Sequence, residues 1–175
     1  HARVVWSCLP AFDGDPAFCA LLSPRGHDGG DFAIELEDYA GSEQHYITNT
    51  AILRTVLRDA HGGQVEVIDF APRWRRNDRF YRPPSLIRRI RPLAGNPRIR
   101  VLARPLADWG ARVPECTWGS NHLRWLLPDW QHQLDSQSLT LRLGSLTVLV
   151  EVRAKATDSD LILTPEDFSL IRGGT

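Results

Sequence analysis

The chain has 175 residues, 21 acids and 21 Lys or Arg, enough for one domain with a sizeable core. Six tryptophans and an ordinary apolar fraction of 42% exclude a disordered polyampholyte. No apolar run approaches the roughly 18 residues of a membrane helix.

The opening "HARVVWSCLP" reads as a short strand, without the long apolar stretch and small-residue cleavage site of a secretory leader. Starting on such a run without an initiator Met, the chain reads as trimmed at its N-terminus. The turn signal "GDP" follows, then "AFCALL", compatible with one or two helical turns. In "DFAIEL" Phe32, Ile34 and Leu36 alternate with Asp31, Ala33 and Glu35, the period of a half-buried strand. "TAILRTVLRDAHGGQVEVIDFAP" holds two alternating runs that meet at "AHGGQ". There Gly62-Gly63 supplies the positive φ of a tight hairpin, and Pro72 ends the second strand. "RWRRNDRFYRPP" reads as a polar loop, and "SLIRRIRPLAGNPRIRVLARP" as a strand pair turning at "LAGNP". "ADWGARVPECTWGSN" reads as a long connection. "HLRWLLP" and "SLTLRLGSLTVLVEVRAKA" add three short strands, with a turn or bulge at Gly144-Ser145. "TPED" reads as a helix start, with Thr164 as the N-cap and Pro165 at the first helical position. The expected fold is all-β: a single antiparallel β-sandwich domain over residues 1–175, supersandwich-like, with short helical turns.

Charge is balanced overall but not along the chain. Asp13 to Asp69 holds eleven acids against three bases, and Arg73 to Arg104 holds eleven arginines against Asp78 alone. Two complementary surfaces would explain this, and so would a polyanion-binding stripe. Asp13 and Asp15 could form an acid/base pair. However, two aspartates one residue apart on one turn more often cap backbone N–H groups than straddle a glycosidic bond. Asp15 stands ready to cap the "AFCALL" turn.

The histidines lie on separate segments without metal-ligand spacing, so no metal is expected. No phosphate-cradling glycine motif occurs, and no cofactor is expected. "HGGQ" has no G-x-S-x-G partner and reads as a hairpin turn. Cys8, Cys19 and Cys116 read as buried thiols in a reducing compartment, with a Cys8–Cys19 bridge as the alternative. Trp6 and Trp125 sit in strand-like runs and read as core. Trp74, Trp109, Trp118 and Trp130 lie in or beside loops, where an exposed indole can stack on a sugar ring.

Several stretches together resemble one family. "VVWSCLPAFDGDPAFCALL", "DFAIELE", "NTAILRTVLRDAHGGQVEVIDFAPR", "PPSLIRRIRPLAGNPRIRVLARP" and "WGARVPECTWGSNHLRW" are similar to the N-terminal domain of bacterial glycoside hydrolase family 15 proteins. These are glucoamylase-like, glucodextranase-like and trehalase-like enzymes. The resemblance covers residues 2–130, whereas 131–175 diverge. It implies a β-sandwich preceding an (α/α)6 barrel that hydrolyses α-glucosidic bonds by inversion. The acid and base belong to that barrel, so no catalytic residue falls on this chain. What carries over is a packing role for Trp6, Pro10, Phe12, Asp13 and Pro16, at the domain interface or the rim of the pocket.

The implied partner is therefore the catalytic barrel of the same parent protein, with α-glucan or trehalose as the sugar and a bacterial cytoplasmic location. Neither a membrane nor a nucleic acid is expected as partner. A carbohydrate-binding module using Trp109 and Trp118 is the alternative reading, and an Arg-rich polyanion-binding domain a further one. An apolar face left without its barrel is expected to drive self-association.

Overall fold

Fifteen strands and one 3-10 turn make up the part of the chain that the computed structural model describes: residues 2–9, 12–22, 29–118, 122–127, 137–142 and 148–154. The strands are β1 (Ala2–Val4), β2 (Ser7–Cys8), β3 (Pro16–Phe18), β4 (Asp31–Leu36), β5 (Tyr39–Tyr46), β6 (Leu53–Asp59), β7 (Gln64–Phe70) and β8 (Trp74–Arg76). They continue with β9 (Arg79–Tyr81), β10 (Ser85–Ala94), β11 (Ile99–Arg104), β12 (Glu115–Trp118), β13 (His122–Leu127), β14 (Gln137–Arg142) and β15 (Val148–Ala154). The 3-10 turn, Ala20–Leu22, is the helical part of "AFCALL", whose first residues belong to β3.

An eight-stranded antiparallel sheet runs β12-β13-β14-β15-β10-β7-β6-β5, and a three-stranded sheet runs β1-β4-β11. Two hairpins, β2–β3 and β8–β9, stand outside them. The expected all-β sandwich is what forms. Phe32, Ile34 and Leu36 of β4 meet Leu57, Val65, Val67, Ile90 and Trp125 of the large sheet in one core, and Phe18 stacks on Phe32 at 5.8 Å between centroids. Register explains the sorting: Ala2 and Val101 flank Ile34, so every core-facing residue of the small sheet lies on one side of the pleat.

The "AHGGQ" hairpin joins β6 and β7 as expected, with Arg58 opposite Gln64. Gly62 alone takes the positive φ, at 87°, while Asp59 Oδ1 accepts the N–H groups of His61 and Gly63 at 2.8 and 2.7 Å. β14 and β15, from the 131–175 segment, lie in the large sheet between β13 and β10. Gly144-Ser145 and the "TPED" helix start lie outside the described residues.

Four expectations are corrected. "ADWGARVPECTWGSN" is not all connection, since β12 (Glu115–Trp118) lies in it and pairs with β13. The strands on either side of "LAGNP" do not pair: β10 lies between β7 and β15, and β11 pairs with β4. With both edges of β10 taken, Gly95, in the left-handed region at φ 66°, starts a crossing to the other sheet. "RWRRNDRFYRPP" is not an irregular loop but the β8–β9 hairpin. Asn77 and Asp78 take φ of 49° and 57°, the type I′ pattern that matches strand twist. β5 was not expected at all. It is a polar edge strand, exposed at nearly every position, so burial leaves no alternation to read.

Charged residues also enter the interior. Arg88 is fully buried on the core side of β10, and its guanidinium takes both carboxylate oxygens of Asp69 at 2.7 and 3.0 Å. On the outer face of the small sheet, Asp31 is completely buried between Arg3 and Arg104, at 2.7 and 2.9 Å. On the outer face of the large sheet, Glu66 meets Arg54 at 2.8 Å, Arg91 at 3.0 Å and Arg89 at 3.7 Å. The acid-rich first half and the arginine block thus complement one another within the fold, with Arg98–Glu37 and Arg100–Glu35 as looser pairs.

Candidate functional site

The end of the sandwich where β4 begins and β11 ends carries the corner that the sequence singled out. Ala20 N–H donates to Gly30 O and Gly30 N–H to Arg104 O, fixing the chain after β3 against the edge of the small sheet. Leu106 N–H donates to Ala17 O at 3.0 Å, and Gly110 approaches the Cys19 sulfur so closely that a Cβ there would lie 3.3 Å from it. β3, the 3-10 turn and the 104–112 loop are therefore one packed unit.

Asp15 holds that unit together. Its carboxylate accepts Asp108 N–H at 2.5 Å and Trp109 N–H at 2.8 Å. Asp108, Trp109 and Gly110 take φ of 60°, 56° and 93° in succession. A bulky side chain at positive φ is an outlier that surrounding structure must enforce. Successive backbone N–H groups turned to one side form a concave anion site, and here the occupant is Asp15. The capping role expected of Asp15 is real, but the group capped lies more than ninety residues away rather than on its own turn.

Around this tie the apolar side chains face outward. Phe12 is 92% exposed, Trp109 56% and Val113 77%, with Leu21 and Leu22 also exposed on the 3-10 turn. Trp6, expected in the core, is 40% exposed because the chain breaks between β1 and β2 at that point, whereas Trp125 is buried as expected. Asp13 is exposed and Pro16 buried in β3, while Pro10 lies outside the described residues. Trp118 belongs to β12, but its side chain lies outside the described set, as does Trp130. Trp74 is half-buried and stacks nearly parallel on Tyr81, with centroids 5.6 Å apart. The structure thus brings Asp15, Phe12 and Trp109 into one corner. The sequence signal for that union was "DWG", three residues able to curl a turn, but nothing in the linear chain joined it to Asp15.

With Asp15 engaged by two N–H groups, the Asp13/Asp15 acid/base pair lacks a second free carboxylate. Cys8, Cys19 and Cys116 are free thiols, of which Cys19 is buried and the other two are half-buried. Burial pushes all three thiols up, and Asp15 adds to this at Cys8 and Cys19, which suits inert rather than nucleophilic sulfur. Among the described residues no group of three or more His, Cys, Asp or Glu could hold a metal ion. No helix among them is long and apolar enough to cross a membrane.

At the opposite end an open cleft of about 320 Å³ is lined by Glu37, Asp38, Asp59, His61, Asn96 and Arg98. Its polar groups serve its own loops: His61 lies 3.1 Å from Asp38, Glu37 lies 3.8 Å from Arg98, and Asp59 closes the β6–β7 turn.

Comparison with known proteins gives no match to the chain among family models, curated proteins or solved structures.

Proposed function

We propose that this chain is a non-catalytic β-sandwich domain that packs, through the Asp15 corner, on a separate (α/α)6 barrel hydrolysing α-glucosidic bonds. The support is the motif series of the sequence together with one structural observation. The corner that those motifs mark out presents Phe12, Trp109, Val113 and Leu21 to solvent, and Asp15 ties down the backbone of Asp108 and Trp109. Exposed apolar side chains on an immobilised turn are the usual core of a protein–protein contact. The reaction then belongs to the barrel, the sandwich shapes access to it, and both act in the cytoplasm.

The test is direct. Incubated with maltose, trehalose or dextrin, the isolated chain releases no glucose; sustained release would overturn the non-catalytic reading. The same side chains give the isolated chain a self-associating surface, seen as a sedimentation coefficient that rises with concentration and no longer does so in Phe12→Asp. An invariant coefficient in the parent chain counts against this.

Trp109 favours a second reading. An indole 56% exposed and fixed at its backbone is a ready platform for an α-glucan ring. In that case soluble starch retards the chain in affinity electrophoresis and Trp109→Ala abolishes the retardation. Equal mobility with and without starch eliminates it.

A further inference from the structure

The arginines of the 73–104 block fall into two sets. Arg88, Arg89, Arg91, Arg98, Arg100 and Arg104 each face an acid within the sandwich. The other five, Arg73, Arg75, Arg76, Arg79 and Arg82, are all exposed and belong to the β8–β9 hairpin and its two flanking positions. Their one ion pair with a described residue is Arg75–Asp78 at 2.9 Å, at a site so exposed that it neutralises little. With five arginines and Asp78 alone, residues 73–82 carry a net charge of +4, so the rest of a chain of zero net charge carries −4.

The hairpin holds this charge against its own stability. Arg76 stands directly opposite Arg79 next to the turn, a like-charge cross-strand pair that disfavours pairing. The Trp74–Tyr81 stack at the base and Arg75 and Arg82, each just under 6 Å from the Phe80 ring centroid, offset it. Phe80 itself is 68% exposed. The hairpin follows β7 at Phe70 and precedes β10 at Ser85, the end at which Arg88 reaches β4. That is also the end of the Asp15 corner.

We propose that the β8–β9 hairpin is a cationic docking arm, and that the protein surface meeting this end of the sandwich is acidic, with carboxylates seated on Arg76 and Arg79. The inference rests on the docking reading above and adds the charge of the partner. A protein is favoured over a nucleic acid on two grounds. The arm shares its end with the exposed apolar residues Phe12 and Trp109, which a phosphate backbone would leave uncovered. The −4 carried by the rest of the chain repels a uniformly charged polymer but not a surface with local acids.

The test measures binding of the full chain to a family 15 catalytic barrel prepared without its own sandwich domain. At about 0.05 M salt the Arg76→Glu/Arg79→Glu variant binds about tenfold or more weakly than the parent, and raising salt to about 0.5 M narrows the gap. Arg76→Gln/Arg79→Gln, which removes charge without reversing it, falls between. Single Arg79→Glu, which creates an opposite-charge cross-strand pair, raises Tm and yet weakens binding, a combination that a purely structural hairpin would not give. Equal binding and equal salt response of parent and variants overturn the arm while leaving docking intact. Absence of a complex with the parent overturns both. Retention of duplex or single-stranded DNA by the parent at about 0.15 M salt, lost in the double Glu variant, overturns the assignment to an acidic protein.

Discussion

Arg88 of β10 crosses the core to Phe32 of β4: its Nη1 donates to the Phe32 carbonyl oxygen at 2.8 Å, and its guanidinium carbon lies 4.7 Å from the Phe32 ring centroid. With Asp69 taking the other nitrogens, one buried cation satisfies both sheets. Desolvating such a pair is costly, so its net value is small, but breaking it strands a charge. Arg88→Met is expected to cost about 3–5 kcal/mol, and Arg88→Met combined with Asp69→Leu to recover more than half of that. Urea unfolding of the three proteins checks it. Equal losses in single and double variants would show that the lost bond to Phe32, and not the stranded Asp69, sets the cost.

The Asp15 tie predicts a local effect with an optical readout. Asp15→Ala removes the acceptor of two N–H groups, at a cost of about 1–3 kcal/mol, and frees Trp109 from its left-handed turn. Asp15→Asn, keeping one acceptor oxygen, loses less. Trp109 emission is expected to shift and its quenching to change, while Asp13→Ala, at an exposed position, stays within about 0.5 kcal/mol of the parent. An Asp15→Ala protein with parental stability and emission would show that the turn needs no carboxylate.

Glu66 gives the pH dependence. Burial alone pushes its carboxyl up, but the hydrogen bond from Arg54 and the charges of Arg91, Arg54 and Arg89 outweigh this and hold it below the usual range. A group depressed in the folded state contributes its stability above its unfolded value, about 4.3, and loses it as pH falls through the folded one. The parent is therefore expected to lose more stability than Glu66→Gln when acidified below about pH 4.3. At neutral pH the variant is less stable by about 1–3 kcal/mol, since the three arginines lose the charge of their shared carboxylate while one acceptor oxygen remains. Parallel acid profiles for the two proteins would place the acid sensitivity elsewhere.

Much of the fold was legible because burial imposes alternation. β4, β6 and β7 were readable for that reason, and Gly62 announced the hairpin between the last two. What alternation does not encode is the partner. β10 and β11 were readable as strands, yet their membership of different sheets depends on β15, more than forty residues further on. The β8–β9 turn escaped notice because Asn77-Asp78 supplies positive φ without a glycine. Buried charges were invisible for a related reason: a period-two pattern assigns Asp31 and Glu66 to solvent, and only the arginines packed across them reverse that. At the candidate site, Phe12 and Trp109 were each singled out, but the bond that unites their loops spans more than ninety residues.

The proposed docking of the Asp15 corner on a separate catalytic barrel is open to titration calorimetry of the chain into a family 15 barrel lacking its sandwich domain. A one-to-one complex is expected, with a negative heat-capacity change, as burial of apolar surface requires. Phe12→Asp and Asp15→Ala should each weaken that complex about tenfold or more. No heat of binding, or binding untouched by either substitution, would contradict it.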